Sequence, residues 1–443
     1  MGPVLVSEVY KVENGGGAAA LDIIIGTQGP LTDTPNNVLF NGINVNAAGG
    51  GKRLEFDVQP GARHLMRFIN TGVDNHWKMG VGKLPDFSCG KDLHSLDGHM
   101  LEVVAIDLTP VKPYMTQWVS LGVGQRFDAI VTANQTAGAY WLRAIPTACA
   151  VNKYDGLGSQ NAIIRYAGAP VGLPRSKPDL KTFTVECLDE PADKAIPFVA
   201  KKVGAGDNST FDPYHLPISS PFQVTTNTEG RVFRWTLGKT TQVVDWQSPI
   251  LQRFIDGNNT VAPEDNLIGV NQGEWAYWYL QNNFFEAHPI HMHGNELSIL
   301  STGPGQWNEK TAELNFVNPI RRDTFMLPAG GYAILAFQTD NPGIWLMHCH
   351  IAWHASEGLS TSLFVKKDQI KINKDKAAII KEQCVSWDNY LTGTGAYAVA
   401  GAAGATTGAG GTALTEASAK PNAAQVAAAG GAKYPQSGSG VKV

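Results

Sequence analysis

His348-Cys349-His350-Ile351-Ala352-Trp353-His354 sets one thiol between two imidazoles and a third imidazole five residues after the thiol. Upstream, His288-Pro289-Ile290-His291-Met292-His293 adds three more imidazoles. Thiolate and imidazole are soft donors that select copper, and two His with one Cys is the ligand set of a blue-copper centre. Structural zinc sites prefer closed Cys/His tetrahedra with other spacings. Ordinary core histidines account poorly for so many donors in two short segments.

Strand periodicity sorts these donors. Successive side chains of a strand face opposite ways, so His348 and His350 face one side and Cys349 the other. One strand can then serve two metal sites. His291 and His293 share a face, with Met292 opposite. His288 lies three residues before His291, across a proline, and can turn toward Cys349. The pattern predicts one copper held by His288, Cys349 and His354, and a second site built on His291, His293, His348 and His350.

The rest of the chain reads as all-β. Its 443 residues suggest two or three domains, and 43% hydrophobic content is enough to fill their cores. Lys52 to Pro60 alternates Leu54, Phe56 and Val58 against Glu55 and Asp57, a half-buried strand. Thr116 to Ile145 reads as strand, glycine turn, strand, with a second turn at Asn134 to Gly138. Arg231 to Leu237, Glu274 to Leu280 and Tyr332 to Phe337 read as later strands. A long helix is expected only over Lys371 to Cys384. Glycine (48) and proline (25) break the chain at the short intervals a β-sandwich needs.

The expected layout is an N-terminal lead-in over 1–29, one Greek-key sandwich over 30–168, and a linker over 169–184 carrying Pro170, Pro174 and Pro178. A second, copper-binding sandwich follows over 185–390. The tail, 391–443, is rich in Ala and Gly and can bury little apolar surface, so it reads as a disordered low-complexity end. A net charge of −4 without charge runs argues against nucleic acid and anionic membrane surfaces as partners. No apolar stretch is long enough to span a bilayer. Met1-Gly2-Pro3-Val4-Leu5 lacks the basic region of a signal peptide. Yet Asn134, Asn208 and Asn258 open glycosylation sequons, as in secreted chains.

The two histidine-rich segments resemble the C-terminal copper signatures of multicopper oxidases, most closely those of ascomycete-type laccases. Asn36-Asn37-Val38-Leu39-Phe40-Asn41-Gly42 and Gly124-Gln125-Arg126-Phe127-Asp128 resemble second-domain segments. Asn318-Pro319-Ile320-Arg321-Arg322-Asp323-Thr324 and Asp340-Asn341-Pro342-Gly343-Ile344-Trp345 resemble third-domain segments. The resemblance runs from about 35 to about 390 and covers the last two of three cupredoxin domains. It implies two consecutive cupredoxin-like sandwiches, copper as cofactor, and one-electron oxidation of phenolic small molecules coupled to reduction of O2 to water. It also implies secretion.

The resemblance also assigns roles. His354 matches the ligand nearest the substrate pocket, and electrons would leave through Cys349 to His348 and His350. Leu359 stands at the axial position of the copper; leucine cannot coordinate, and losing an axial sulfur raises the potential. It can also serve as a plain core residue. Asp74 matches the carboxylate that accepts a phenolic proton; the alternative is a turn aspartate capping its own backbone. Asn295 and Glu296 stand where the family has histidine and a polar residue. Arg321, Arg322 and Asp323 read as a structural ion-pair network.

In the family, two His-x-His pairs of the first domain complete a trinuclear cluster with four histidines of the third. The five histidines left here are His64, His76, His94, His99 and His215, and no two are spaced i, i+2. The expectation is a complete blue-copper site, a half-supplied trinuclear site and a missing first domain, explained by N-terminal truncation. A one-copper electron-transfer protein or an inactive fragment is the alternative. Cys149 and Cys187 resemble a family disulfide, and Cys384 resembles a cysteine that pairs with the first domain. Cys89 falls in an apparent insertion over 82–94. The ending Gly438-Ser439-Gly440-Val441-Lys442-Val443 resembles a C-terminal plug with glycine in place of its aspartate; a plain disordered end is the alternative.

Overall fold

The computed structural model describes residues 3–9, 37–46, 48–81, 99–147, 161–174, 187–204, 213–219, 234–238, 240–258, 260–270 and 273–392. The 82–94 insertion with Cys89 and His94, the Cys149 end of the expected disulfide, the sequon at Asn208 and the tail beyond 392 lie outside these residues.

The first half holds β1 (Pro3–Val9), β2 (Asn37–Phe40), β3 (Glu55–Val58), β4 (Arg63–Asn70), β5 (Trp77–Val81) and β6 (Leu101–Ile106). It continues with β7 (Thr109–Thr116), β8 (Trp118–Leu121), β9 (Arg126–Thr132), β10 (Ala139–Pro146) and β11 (Asn161–Tyr166). The second half holds β12 (Tyr214–Ser219), β13 (Thr236–Leu237), β14 (Leu267–Val270), β15 (Trp275–Asn282), β16 (His288–Met292) and β17 (Leu297–Pro304). Then come β18 (Ile320–Arg322), β19 (Thr324–Leu327), β20 (Gly331–Gln338), β21 (Gly343–Cys349) and β22 (Ser360–Val365). Helices are few: α1 (Ile250–Ile255), α2 (Ala352–Ser356) and the long α3 (Lys374–Thr392).

Each half is a sandwich of a six-stranded and a five-stranded sheet. The first orders its strands β2-β1-β4-β9-β6-β7 and β3-β11-β10-β5-β8. The second orders them β13-β12-β15-β20-β17-β18 and β14-β22-β21-β16-β19, the same topology strand for strand. Parallel pairs such as β1 with β4 and β12 with β15 sit among antiparallel ones, a Greek-key-like arrangement. The elements follow their residue patterns. Along β9, Phe127, Ala129 and Val131 are buried and their neighbours half-buried, the period-two signature of a strand with one face inward. The interior of β20 is buried almost throughout, as expected of a strand covered on both faces. One apolar core fills each sandwich, the first built around Trp77 and Phe127, the second around Trp235 and Phe325.

Two boundaries differ from the sequence expectation. The lead-in placed at 1–29 contains β1, which lies inside the first sheet, parallel to β4 and antiparallel to β2, with Val4 and Val6 fully buried. Alternating valines supply the inward face there. Residues 191–198, placed in the second sandwich, return to the first. Lys112 N–H donates to Ile196 O, Phe198 N–H donates to Pro110 O, and Ala195 enters the first core. The physical reason is β7: it is the edge of its sheet, and an open edge recruits extended backbone.

The two sandwiches share a buried ion network. Arg322 is 2% exposed and reaches Asp107 at 2.9 Å and Asp189 at 2.7 Å. Arg126 forks onto both oxygens of Asp323 at 2.6 and 2.7 Å. Arg321 pairs with Glu296, which also accepts from Thr109. Buried charges persist only when paired with good geometry, so these arginines fix how the halves meet. Cys187 is disulfide-bonded, and Cys384 carries a free thiol. No helix among the described residues is long and apolar enough to cross a membrane.

Candidate metal centre

Adjacent strands β16 and β21 bring the two histidine-rich segments together. Their antiparallel register sets Ile290 opposite Cys349 and His291 opposite His348. The chain then turns through α2, which carries His354 back under the sheet end.

Three donors converge on the buried side. Nδ1 of His288 lies 3.1 Å from Nδ1 of His354, and Sγ of Cys349 lies 3.7 Å from the first and 3.6 Å from the second. These are the edges of a three-donor set that could hold one ion. His288 and Cys349 are fully buried and His354 is 5% exposed. Burial holds His288 down to about 3 and His354 well below its ordinary value, so both rings are neutral and offer lone pairs. Burial pushes the Cys349 thiol up; a cation at the three donors displaces that proton. A thiol and two neutral imidazoles, sealed from water, fit copper. Leu359 adjoins the site through its backbone. Its N–H donates to His354 O and its carbonyl accepts from Cys349 N–H, each at 2.9 Å, and its side chain is wholly buried in the core that holds Cys349.

On the other side of the same strands, donor atoms of His291, His293 and His348 lie within 4.8 Å of one another. Nε2 of His293 and Nε2 of His348 are 3.2 Å apart. The His350 ring centre lies 5.5 Å from that of His348 and 5.7 Å from that of His291. Backbone partners aim two of these rings: His291 Nδ1 lies 2.9 Å from Asp323 O, and His348 Nδ1 lies 2.8 Å from Cys349 O, which leaves each Nε2 pointing outward. His293 is exposed, and the other three are half-buried. Burial lowers His348 to about 4 and also lowers His293 and His350, so these three rings are neutral. Gly124, at φ +81°, sits against the His350 ring; a Cβ there would lie 2.2 Å from the ring, so only glycine fits.

The predicted donors therefore form two groups, as the alternation of faces required. The remaining described histidines, His64, His76, His99 and His215, join neither group.

Glu286 meets the outer edge of His354, and Asp74 and Glu357 lie close enough to Glu286 for their charges to act on it; of the three, only Asp74 was expected. Oε2 of Glu286 lies 3.6 Å from His354 Nε2. Glu357 is 2% exposed and accepts from Trp235 Nε1 at 3.0 Å. The Trp235 ring lies 4.6 Å from His354 and 4.9 Å from His288, between centres. Burial pushes Glu286 and Glu357 up to about 8, and the charges of Asp74 and Glu357 add to the rise at Glu286. Asp74 lines a cleft with Glu286. Glu8 holds its turn, accepting from the backbone N–H of Val73, Asp74 and Asn75. Sequence reasoning missed Glu286, Glu357 and Trp235. The signal it passed over is an acid in the apolar run Phe284-Phe285-Glu286-Ala287, two residues before a donor histidine.

Two family models, each described as multicopper oxidase, match the chain, one at residues 4–84 and 93–169 and the other at 235–369. The chain is 38% identical to Laccase-3 of Botryotinia fuckeliana over 73% of its own length and 70% of that protein's. It is 33% identical to a laccase of Neurospora crassa over 83% of its length and 58% of that protein's. The crystal structure of a laccase from Botrytis aclada superposes with a TM-score of 0.74 at 30% identity, covering 88% of this chain and 68% of that one. Across the first four curated relatives, the chain spans between 57% and 70% of their length.

Proposed function

The chain belongs to the multicopper oxidase family, and from that premise we propose that it is the two-sandwich, copper-bearing part of a laccase-like oxidase. The whole protein oxidises phenolic molecules one electron at a time and reduces O2 to water. The observation that carries this reading is the convergence of His288, Cys349 and His354 on one buried point.

Copper bound there supplies a one-electron oxidant. The protein residues do the rest. His288 and His354 present neutral lone pairs because burial keeps protons off them. Leu359 fills the remaining side with hydrocarbon, which favours the reduced ion and raises the potential. His354 turns its Nε2 edge toward the cleft of Asp74 and Glu286. Asp74 accepts the phenolic proton as the electron leaves, which lowers the barrier to oxidation. Cys349 is bonded through the backbone to His348 and His350, so a covalent path joins the two donor groups. His291, His293, His348 and His350 supply half of the second copper group; a first cupredoxin domain, in cis or in trans, supplies the other half. The disulfide at Cys187 suits a secreted protein.

Copper loading tests this. A blue thiolate-to-copper band that Cys349→Ser abolishes supports the reading, and a colourless loaded protein overturns it. Oxygen uptake with a phenol is expected only when a first domain is added. Uptake by the chain alone would mean that the donor count is incomplete. The one-copper electron-transfer reading is favoured by the sealed first donor group. It predicts the blue band with no uptake under either condition.

A further inference from the structure

Strand alternation puts His291, His293, His348 and His350 on one face, but it does not fix how each ring is turned. His348 is aimed within its own strand, by Cys349 O. Two of the other rings are held from the first sandwich. Arg126, at the start of β9, donates from one guanidinium nitrogen to Gly124 O at 3.0 Å and to Asp323 Oδ1 at 2.6 Å. Its second nitrogen donates to Asp323 Oδ2 at 2.7 Å. Each of these acceptor residues backs a histidine. Gly124 packs so closely on the His350 ring that a methyl group there would overlap it. Asp323 O lies 2.9 Å from His291 Nδ1, and Thr324 Oγ1 lies 3.0 Å from the same nitrogen. Thr324 gives its hydroxyl proton to Asp323 Oδ1 at 2.9 Å, so toward the ring its oxygen only accepts, as the carbonyl does. The His291 proton therefore sits on Nδ1, and Nε2 presents its lone pair.

We infer that Arg126 is a positioning residue for the second donor group. By tying Gly124 to Asp323 it sets the His350 and His291 rings, so the group reaches its metal-binding geometry only when the first sandwich is docked on the second. An arginine fork is planar and rigid, and it fixes direction as well as distance. Arg126 and Asp323 keep 22% and 19% of their side-chain surface exposed, so salt and water loosen the fork little. Partners behind metal-ligating imidazoles commonly set the tautomer and the ring orientation in this way. Donor atoms of His291, His293 and His348 within 4.8 Å of one another fit one ion, and imidazole suits copper. Arg322 crosses the same boundary, but its ion pairs go to Asp107 and Asp189, away from both histidines. The role toward copper rests on the proposed reading of these histidines; the aiming of the rings does not.

The test compares Arg126→Met, Arg126→Lys and Arg322→Met in the full chain, with copper(II) as the probe. The blue band reports the thiol-bearing group, and the electron paramagnetic resonance of the non-blue copper reports the histidine group. Arg126→Met is expected to keep the blue band, to weaken the second copper about tenfold and to shift its hyperfine splitting. Arg126→Lys keeps the charge without the fork; it is expected to recover the melting temperature and not the affinity, and it carries the test if the methionine variant does not fold. Arg322→Met is expected to lower the melting temperature and leave the second copper's affinity unchanged. An unchanged affinity and spectrum in Arg126→Met overturns the proposal. So does an equal loss in Arg322→Met, which would assign the effect to the boundary as a whole, or full recovery by lysine, which would assign it to charge alone. Imidazole nitrogen resonances of the metal-free chain separate this from the copper reading. His291 is expected to carry its proton on Nδ1 in the unmodified chain and to show mixed tautomers in Arg126→Met. That pattern without a second copper removes the copper reading and leaves the Arg126 assignment; a second copper with His291 indifferent to Arg126 does the reverse.

Discussion

Nε2 of His354 and the Glu286 carboxyl lie 3.6 Å apart, so the imidazole that completes the thiol-bearing donor group carries an acid on its opposite edge. The two neighbours of this group pull in opposite directions. On the proposed reading Leu359 would withhold a donor and raise the potential, whereas an ionised carboxylate near the ring would stabilise the more positive, oxidised ion. Above about pH 8, where Glu286 is ionised, Glu286→Gln is therefore expected to raise the midpoint potential of the loaded site. A redox titration that follows the blue band checks this, and a fall in potential would contradict it.

Cys349→Ser is expected to remove about one equivalent of copper while leaving the His291, His293 and His348 group able to bind metal, because the two groups lie on opposite faces of the same strands. Metal analysis after desalting gives the stoichiometry. Loss of all bound copper would mean that the groups are coupled.

The acids predict how the metal-free protein responds to pH. Glu286 and Glu357 titrate at about 8 when folded and near 4.5 when unfolded. Between those values the folded state holds protons that the unfolded state has released, so stability falls as pH rises. Below 6.5 the depressed histidines, His76 and His288 among them, act the other way, because the unfolded chain protonates there and the folded chain does not. The clean window is pH 6.5 to 8. A loss on the order of a few kcal/mol is expected across it, and the Glu286→Gln, Glu357→Gln double variant flattens the slope. Urea unfolding at four pH values measures it; stability rising with pH in this window would contradict the assignment.

Arg322→Met removes the cation between Asp107 and Asp189. Asp107 then keeps the more distant Arg126 guanidinium, and Asp189 keeps Gln125 and the Met326 N–H, so the two acids lose their shared cation at a cost of about 3 kcal/mol. Calorimetry is expected to show a melting temperature lower by several degrees. A change near zero would mean that water reaches the network.

At Gly124, alanine meets two obstacles, a positive φ and a ring 2.2 Å from the new Cβ. Gly124→Ala is expected to cost about 1–2 kcal/mol from the backbone alone and to displace His350. Copper titration of the exposed histidine group reads the displacement.

The grouping of the candidate donors was legible because they obey the shortest-range rule in a sheet. Alternation of faces alone separates Cys349 from His348 and His350, and no tertiary knowledge is needed to predict two groups. The acids were not legible, because Glu286 and Glu357 gain meaning only from what packs beside them: His354 for one, and the Trp235 indole for the other. Trp235 lies 53 residues before His288 in sequence and yet touches its ring. The fold class followed from turn spacing and half-buried strands. The placement of β1 and of residues 191–198 did not, because pairing partners of a sheet edge are chosen in space and leave no periodic mark in the chain.

The second sandwich repeats the topology of the first, but among the described residues only the second gathers soft metal donors. The same eleven-strand frame therefore closes with an ordinary apolar interior in one copy and with a ligand pocket in the other. On the proposed reading, an ion held there would be a passenger on this architecture. The first copy serves as a built-in control for what the second should do when its metal is withheld: keep its shape and lose its colour.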